Sequence, residues 1–376
     1  MATRISQFTK KKKRAEHVKY RHPFRPLPSG AWMAAVEQFI PRSIRHVFLL
    51  HSGGVGGVET AISAWLLAMP ANVREACMIL SRVEPVSELP VLCKGLENRD
   101  VIDDILASDV RTVWIQPSIG YAPDRIRRLI DSGRSVYQLI ISQHSGTISE
   151  VSKSSPTAYV LTSETLEGIC GSLDPRCILP HCVRSTAEVV CREKPRRIGY
   201  VGRMSREKGI DFLPELLAEL RLKSKSAGWR LNAFVPETKS ATATNETVKS
   251  EFLQSARDLK VLGAITIQAD IENVEEIFSK FDVLVIASDY EGYSMVAHEA
   301  LASGCGVVVP DNLAIATEEA PGLVVYKARD AKDAARAVTT AYNTDPMEIR
   351  TAAARHTIEG WRELHLAAML EMMHEC

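Results

Sequence analysis

The sequence predicts an α/β chain built as two successive halves, each a parallel sheet with helices packed on it. Three observations carry that prediction. From residue 44 onward, short apolar runs alternate with helical patterns, as in strands joined by right-handed helical crossovers. A charged, proline-bearing connector, CREKPR (191–196), interrupts the alternation near mid-chain, after which it starts again. The length of 376 residues, 45% of them hydrophobic, suits two domains of ordinary size.

In the first half, IRHVFLLH (44–51) reads as a strand, GGVETAISAWLLAM (56–69) as a helix and REACMILS (74–81) as a strand. Further strands are RTVWIQ (111–116), SVYQLIIS (135–142) and TAYVLT (157–162). Helical stretches at 122–133 and 163–172 separate them. In the second half, strand 196–202 leads to helix 210–225, strand 229–235, helix 246–259, strand 264–268 and helix 273–281. A buried strand (282–287), a turn, a helix from about Ser294 and a second buried strand (307–309) follow. Strand 323–326 and helix 330–342 close the series. After Asp345-Pro346, a good helix start, one last helix is expected over about 347–373. The pattern gives two Rossmann-like domains, 44–190 and 191–345, with a basic arm (1–43) before them and a terminal helix (346–376) after them.

Formal charge is zero but unevenly spread. Residues 1–30 hold nine Lys or Arg against one acid, Glu16, leaving 37 bases and 45 acids on the rest. An acidic body argues against nucleic acid as a partner of the folded part. The arm lacks the apolar stretch of a signal peptide, and nowhere do eighteen apolar residues run unbroken, so the protein is expected in the cytoplasm. The arm, expected to be disordered, is either a solubilising tail or a peripheral tether to the anionic inner face of the cell membrane. Four of the eight cysteines fall between 170 and 191, with His181 among them. Their spacing contains no C-x-x-C pair, so no metal site and no cofactor is expected.

Four constellations carry chemistry. HSGGVGGVETA (51–61) places Gly53, Gly54, Gly56 and Gly57 between the first strand and first helix, where the backbone can approach a ligand. A tight turn would look the same. The dinucleotide fingerprint fails, because counting from Gly54 the third glycine position is Glu59, and no Gly-Lys-Ser/Thr of a phosphate loop is present. YVGRMSREKGID (200–211) sets Arg203 and Lys208 on a loop between Gly202 and Gly209. Such a pair can hold a diphosphate or simply sit solvated on the surface.

The third segment is DVLVIASDYEGYSMVAHEALASGCGVVVP (282–310). Its Glu291 stands in a turn at the carboxyl end of a strand, where open parallel sheets bind ligands, and Glu299 lies inside the following helix. The helix start at Ser294, Met295 and Val296 offers free N–H groups to an anion. The neighbours of Glu299 make that helix largely apolar, and a buried carboxylate needs a partner such as a ribose diol. The fourth is His144 in QLIISQHSG, just past a strand, able to meet a sugar hydroxyl or to serve as a structural histidine. His51 has a similar position and less to support it.

Taken together, GR-x4-KG at 202–209 and E-x7-E at 291–299 resemble the retaining glycosyltransferases of family 4, which have a GT-B fold, two Rossmann-like domains with parallel sheets facing across a cleft. The resemblance covers about residues 44–376 and includes ILPHCV (178–183) before the second domain. It implies a hexosyltransferase-type enzyme (EC 2.4) that is metal-independent and uses a nucleotide diphosphate-sugar as co-substrate. The acceptor would be a glycan or a lipid-linked, lipopolysaccharide or exopolysaccharide-type molecule, placing the chain in polysaccharide biosynthesis. By resemblance, the N-terminal domain holds the acceptor and the C-terminal domain holds the donor. Arg203, Lys208, Gly54, Gly56, Gly57 and the backbone at Met295 and Val296 would hold the donor diphosphate. Glu299, with Tyr293 and Ser294, would hold ribose and sugar, and His144 and Glu291 would lie at the reaction centre. The terminal helix, with Trp361, would cross back to the first domain. The chain departs from the pattern at FVPETK (234–239), at ASDYEG (287–292) in place of Pro-Ser, at Ser294 and at Gly306. The competing reading is a non-catalytic nucleotide-sugar binder or partner subunit of the same shape.

Overall fold

The computed structural model describes residues 39–51, 57–82, 91–96, 100–119, 121–140, 155–163, 166, 170, 173–184, 196–223, 228–235, 243–269 and 277–374. Residues 1–38 of the basic arm, Gly54, Gly56, His144 and residues 236–239 of the FVPETK turn lie outside them, as do most of the expected helix at 163–172 and residues 273–276 of that at 273–281.

The first sheet has seven strands: β1 (His46–Leu50), β2 (Cys77–Ser81), β3 (Leu92–Gly95), β4 (Thr112–Ile115), β5 (Ser135–Ile140), β6 (Ala158–Leu161) and β7 (Arg176–Ile178). Every neighbouring pair is parallel, in the order β3-β2-β1-β4-β5-β6-β7. β1, β2 and β4 are buried along their whole length, which is why they read as unbroken apolar runs rather than as alternating ones. Helices α1 (Gly57–Ala68), α2 (Ala71–Glu75), α3 (Ile102–Leu106) and α4 (Pro123–Asp131) connect them. β3, α3 and β7 have no counterpart in the sequence-based series, being only three to five residues long and weakly patterned.

The second sheet has six strands, also all parallel: β8 (Arg197–Val201), β9 (Arg230–Phe234), β10 (Ile265–Gln268), β11 (Val283–Val285), β12 (Gly306–Pro310) and β13 (Leu323–Tyr326). Their order, β10-β9-β8-β11-β12-β13, is the doubly wound arrangement, whose switch point lies between β8 and β11. In the first sheet the same reversal falls between β1 and β4.

The two-residue period of a strand decides which helix each side chain of the second sheet meets. Val283, Val285 and Val308 point to a core shared with α5 (Leu213–Lys223), α6 (Ala243–Asp258) and α8 (Ala331–Asn343). Leu284, Val307 and Val309 point the other way, onto α7 (Met295–Ala302) and α9 (Pro346–Ala353). Packing on the first of these faces is close enough to explain the departure at 306. A β-carbon on Gly306 would stand 2.8 Å from the Ala341 carbonyl oxygen of α8, so a proline ring has no room there.

The terminal segment corrects the sequence-based expectation of one helix. It is two, α9 and α10 (Ile358–Met372), separated by a 3-10 turn at Ala354–His356. The cause is local. Thr357 is extended and caps the second helix, its hydroxyl accepting from the Gly360 N–H. Its neighbours bond to Val183 of the first half: Val183 N–H donates to His356 O, and Ile358 N–H donates to Val183 O. Beyond the break, α10 packs on α1. The Trp65 and Trp361 indoles both donate to Pro180 O, at 2.9 and 2.6 Å. The Arg362 guanidinium caps the last carbonyls of α1, at Leu67 and Ala68. Among the described residues, no helix is long and apolar enough to cross a membrane.

Candidate functional site

Switch points in both sheets carry the candidate residues, because a strand that ends there opens into a crevice between loops diverging to opposite faces. In the first sheet, the loop after β1 begins at His51, whose exposed backbone N–H donates to Gln116 Oε1, 2.9 Å away beyond the end of β4. Gly57 opens α1 at the far side of that loop.

In the second sheet the loop after β8 carries Arg203 and Lys208, and the loop after β11 carries Glu291. One glycine brings them together. Gly209 has φ +66°, and a β-carbon there would lie 1.9 Å from the Ala287 carbonyl oxygen. Only glycine therefore lets the β8 loop lie against the end of β11. The contact is secured by the Asp289 N–H donating to Glu207 O at 2.9 Å. Lys208 Nζ then reaches Glu291 Oε1 at 2.7 Å, and Ser288 Oγ donates to the same oxygen at 2.8 Å. Both side chains of this ion pair are largely withdrawn from solvent. Arg203 is more exposed and pairs, among the described residues, with Glu207 at 3.1 Å, an i,i+4 pair of the kind that holds weakly. The Tyr200 hydroxyl donates to Arg203 O at 2.7 Å and fixes the loop backbone from below.

The helix that follows starts unusually. Ser294, its N-cap, sits in the left-handed region with φ 53° and ψ 65° and makes no side-chain cap. Its Oγ is buried and has no hydrogen-bond partner among the described residues. The Ala297 and His298 N–H groups bond back to Ser294 O, and Met295 and Val296 occupy the first two helical positions, whose N–H groups have no acceptor within a helix. Tyr293 is buried, stacked on His298 with ring centroids 4.0 Å apart. Its hydroxyl lies 2.9 Å from His356 Nδ1.

Glu299 is 8% exposed, on a helix whose residues 297–302 are all buried. Burial pushes its carboxyl up to about 7, and the charge of Arg184 partly offsets that rise. Arg184 is exposed, in the segment leaving β7. Sequence reasoning missed it, although it directly follows ILPHCV. His181 of that motif is buried with neither ring nitrogen hydrogen-bonded among the described residues, and burial depresses it to about 3. It packs between Trp65 and Tyr293, at 5.0 and 5.5 Å.

The structure thus brings Lys208 and Glu291 into contact, places Arg203 on the same loop, and puts Met295, Val296 and Glu299 on the helix leading away from Glu291. A surface pocket lined by Ser108, Arg111, Arg134 and His374 lies instead at the amino ends of β4 and β5, away from these loops.

Comparison with known proteins agrees with this architecture. Residues 195–344 match the family model Glycosyl transferases group 1. EpsF of Bacillus subtilis (strain 168), which carries the name of a glycosyltransferase, is 30% identical over 127 residues, 34% of this chain and 30% of EpsF. The chain therefore matches less than a third of that relative's length. Among solved structures, HepE of Anabaena in complex with UDP superimposes with a TM-score of 0.68 at 12% identity, covering 87% of this chain and 100% of that one. Sucrose-phosphate synthase of Thermosynechococcus elongatus gives 0.64 at 13% identity, covering 88% and 100%. The lipopolysaccharide outer core galactosyltransferase WaaB gives 0.63 at 13%, covering 87% and 99%. The chain has the GT-B fold.

Proposed function

We propose that this chain is a retaining glycosyltransferase of the hexosyltransferase type, moving a sugar from a nucleotide diphosphate-sugar to a glycan or a lipid-linked, lipopolysaccharide or exopolysaccharide-type acceptor. The observation that carries the reading is the meeting of Lys208 and Glu291 at the switch point of the second sheet, beside a helix start. A cation, an acid and free N–H groups at one strand end are what a diphosphate joined to a sugar requires. The crystals of HepE hold UDP, and in another form UDP with glucose, which supports a donor of this class.

In this reading residues 191–345 hold the donor and residues 44–190 the acceptor. Lys208 leaves Glu291 for the diphosphate, with Arg203 swinging in from its weak surface pair. The N–H groups at Met295 and Val296 take the remaining phosphate oxygens, and Gly54, Gly56 and Gly57 approach from the other half. Glu299 accepts from the ribose diol, with Tyr293 and Ser294 lining the sugar side, and the unsatisfied Ser294 Oγ is a ready donor. Glu291, once released by Lys208, meets the donor hexose, and His144 reaches the sugar from the first half.

Developing negative charge on the leaving nucleotide diphosphate is met by the cationic pair and the helix start, so this chemistry assigns no role to a metal ion. Retention follows from front-face attack through an oxocarbenium-like state. The glycosidic bond to the phosphate breaks as the acceptor oxygen bonds to the anomeric carbon, and the leaving phosphate oxygen takes the acceptor's proton. The basic arm would hold the protein at an anionic inner-leaflet surface, near a lipid-linked acceptor.

The test is a thermal-shift panel of UDP-, GDP- and ADP-sugars on the full chain, followed by mass spectrometry for slow hydrolysis. One nucleotide class should raise the melting temperature and be hydrolysed, and Lys208→Ala and Glu299→Ala should lose both effects while staying folded. Binding without hydrolysis or transfer would identify a non-catalytic binder instead. No shift with any of them would remove the proposal.

A further inference from the structure

Behind α7, on the side of its buried His298, three segments distant in sequence bring together side chains that the glycosyl-transfer reading does not use. His298 belongs to α7, Glu318 follows the 3-10 turn Ala314–Thr317 after β12, and His356 closes the 3-10 turn that separates α9 from α10. One potential ligand atom from each lies within 4.8 Å of the other two. His298 is fully buried, and the Glu318 side chain is 17% exposed, leaving a way in from solvent.

The hydrogen bonds around the cluster show what it lacks. His298 Nδ1 is 3.2 Å from Ser294 O. A carbonyl only accepts, so Nδ1 carries the proton, and in the neutral ring Nε2 bears the lone pair. Yet Nε2 faces Glu318 Oε2 at 3.2 Å, and an ionised carboxylate is also an acceptor. With that tautomer two lone pairs face each other at 3.2 Å, a gap that a shared proton or a metal ion would fill. His356 is prepared in the same way. Arg355 Nε donates to its Nε2 at 3.0 Å, so that nitrogen holds a lone pair, and Nδ1 faces the Tyr293 hydroxyl. Arg355 is exposed and free to turn away.

We propose that His298, Glu318 and His356 form a binding site for one divalent transition-metal ion of the zinc class. Two imidazoles and a carboxylate are a donor set that suits zinc, with one position left for water. Calcium and magnesium prefer an all-oxygen shell. The bond from His298 Nδ1 to the Ser294 carbonyl is the outer contact that ligating histidines ordinarily make, fixing ring and tautomer together. The ion would staple α7, the connector after β12 and the turn leading to α10. It adjoins the proposed donor site through Tyr293 and the Ser294 carbonyl, but does not depend on the function proposed above.

The test uses the full chain, treated with a chelator, desalted and titrated with Co2+ and then Zn2+. One equivalent of Co2+ should give the intense visible bands of a tetrahedral site without a thiolate charge-transfer band, and Zn2+ should displace it and raise the melting temperature. Glu318→Gln and His356→Gln should each weaken binding by roughly tenfold or more and abolish the zinc-dependent shift, with the melting temperature of the metal-free variants showing that they fold. Absence of both spectrum and shift in the wild type would overturn the proposal. A thiolate band, or unaltered binding in both variants, would overturn it equally by placing the metal at the cysteines or elsewhere.

Discussion

Lys208 and Glu291, carried by the loops after β8 and β11, close on each other at 2.7 Å across the switch point of the second sheet. In the function proposed above, a diphosphate takes the ammonium, and the carboxylate, still held by Ser288, is released towards the sugar. Lys208→Met should therefore lower affinity for the bare nucleoside diphosphate by at least about tenfold, or 1.4 kcal/mol. Glu291→Gln should leave that affinity within about threefold and lower kcat far more than it changes KM. Calorimetry with the nucleotide chosen by thermal shift, and steady-state kinetics on its sugar, check both. Equal nucleotide affinity in wild type and Lys208→Met would remove Lys208 from the site.

If Glu299 holds the ribose as proposed, nucleotide binding should depend on pH. Its folded carboxyl titrates at about 7, above the unfolded value of about 4.5. Its contribution to stability is thus fully present below pH 4.5 and is lost as pH rises through 7. The loss amounts to at most about 3 kcal/mol in the nucleotide-free protein. A ribose diol donates to both oxygens of the ionised form and more strongly than to the neutral acid, so nucleotide binding should tighten over the same interval. In EDTA-containing buffer, nucleotide affinity should rise from pH 6 to pH 8, and Glu299→Gln should bind weakly with a flat profile. A pH-independent wild type, measured by calorimetry at both values, would contradict the diol contact.

Much of this was legible in the sequence, for identifiable physical reasons. The buried parallel strands announce themselves as apolar runs, and the loops at 202–209 and 291–299 carry charge where a strand has just ended. Three things were not legible. The break at Ala354–His356 follows from tertiary bonds to Val183, which no local periodicity encodes. Arg184 matters through its charge on Glu299, a relation between residues far apart in the chain. The His298, Glu318 and His356 cluster spans three segments with no motif spacing, whereas the cysteines and His181, which drew the search for a metal, contain a histidine buried with no hydrogen bond.

Gly209 holds the site together from the backbone. Gly209→Ala would cost roughly 1–3 kcal/mol for the positive φ alone, and the Ala287 carbonyl leaves no space for the methyl group. The β8 loop must lift away from β11, separating Lys208 from Glu291. Urea unfolding should show a loss of at least about 2 kcal/mol, together with loss of nucleotide binding under conditions where the protein remains folded. A variant of wild-type stability and affinity would show that the two loops are not held by this contact.

Trp65 of α1 and Trp361 of α10 offer a test of how the terminal segment is held, because both indoles donate to one carbonyl, Pro180 O. Replacing either by Phe leaves the other donor in place, so each single variant should lose mainly packing, about 1–3 kcal/mol. The double variant removes both donors and leaves the carbonyl to whatever solvent reaches it. Its loss should exceed the sum of the singles by about 1 kcal/mol, the usual size of an unsatisfied acceptor. Chemical denaturation of the four proteins measures that coupling. Strict additivity would mean that packing alone, and not the shared acceptor, docks α10 on α1.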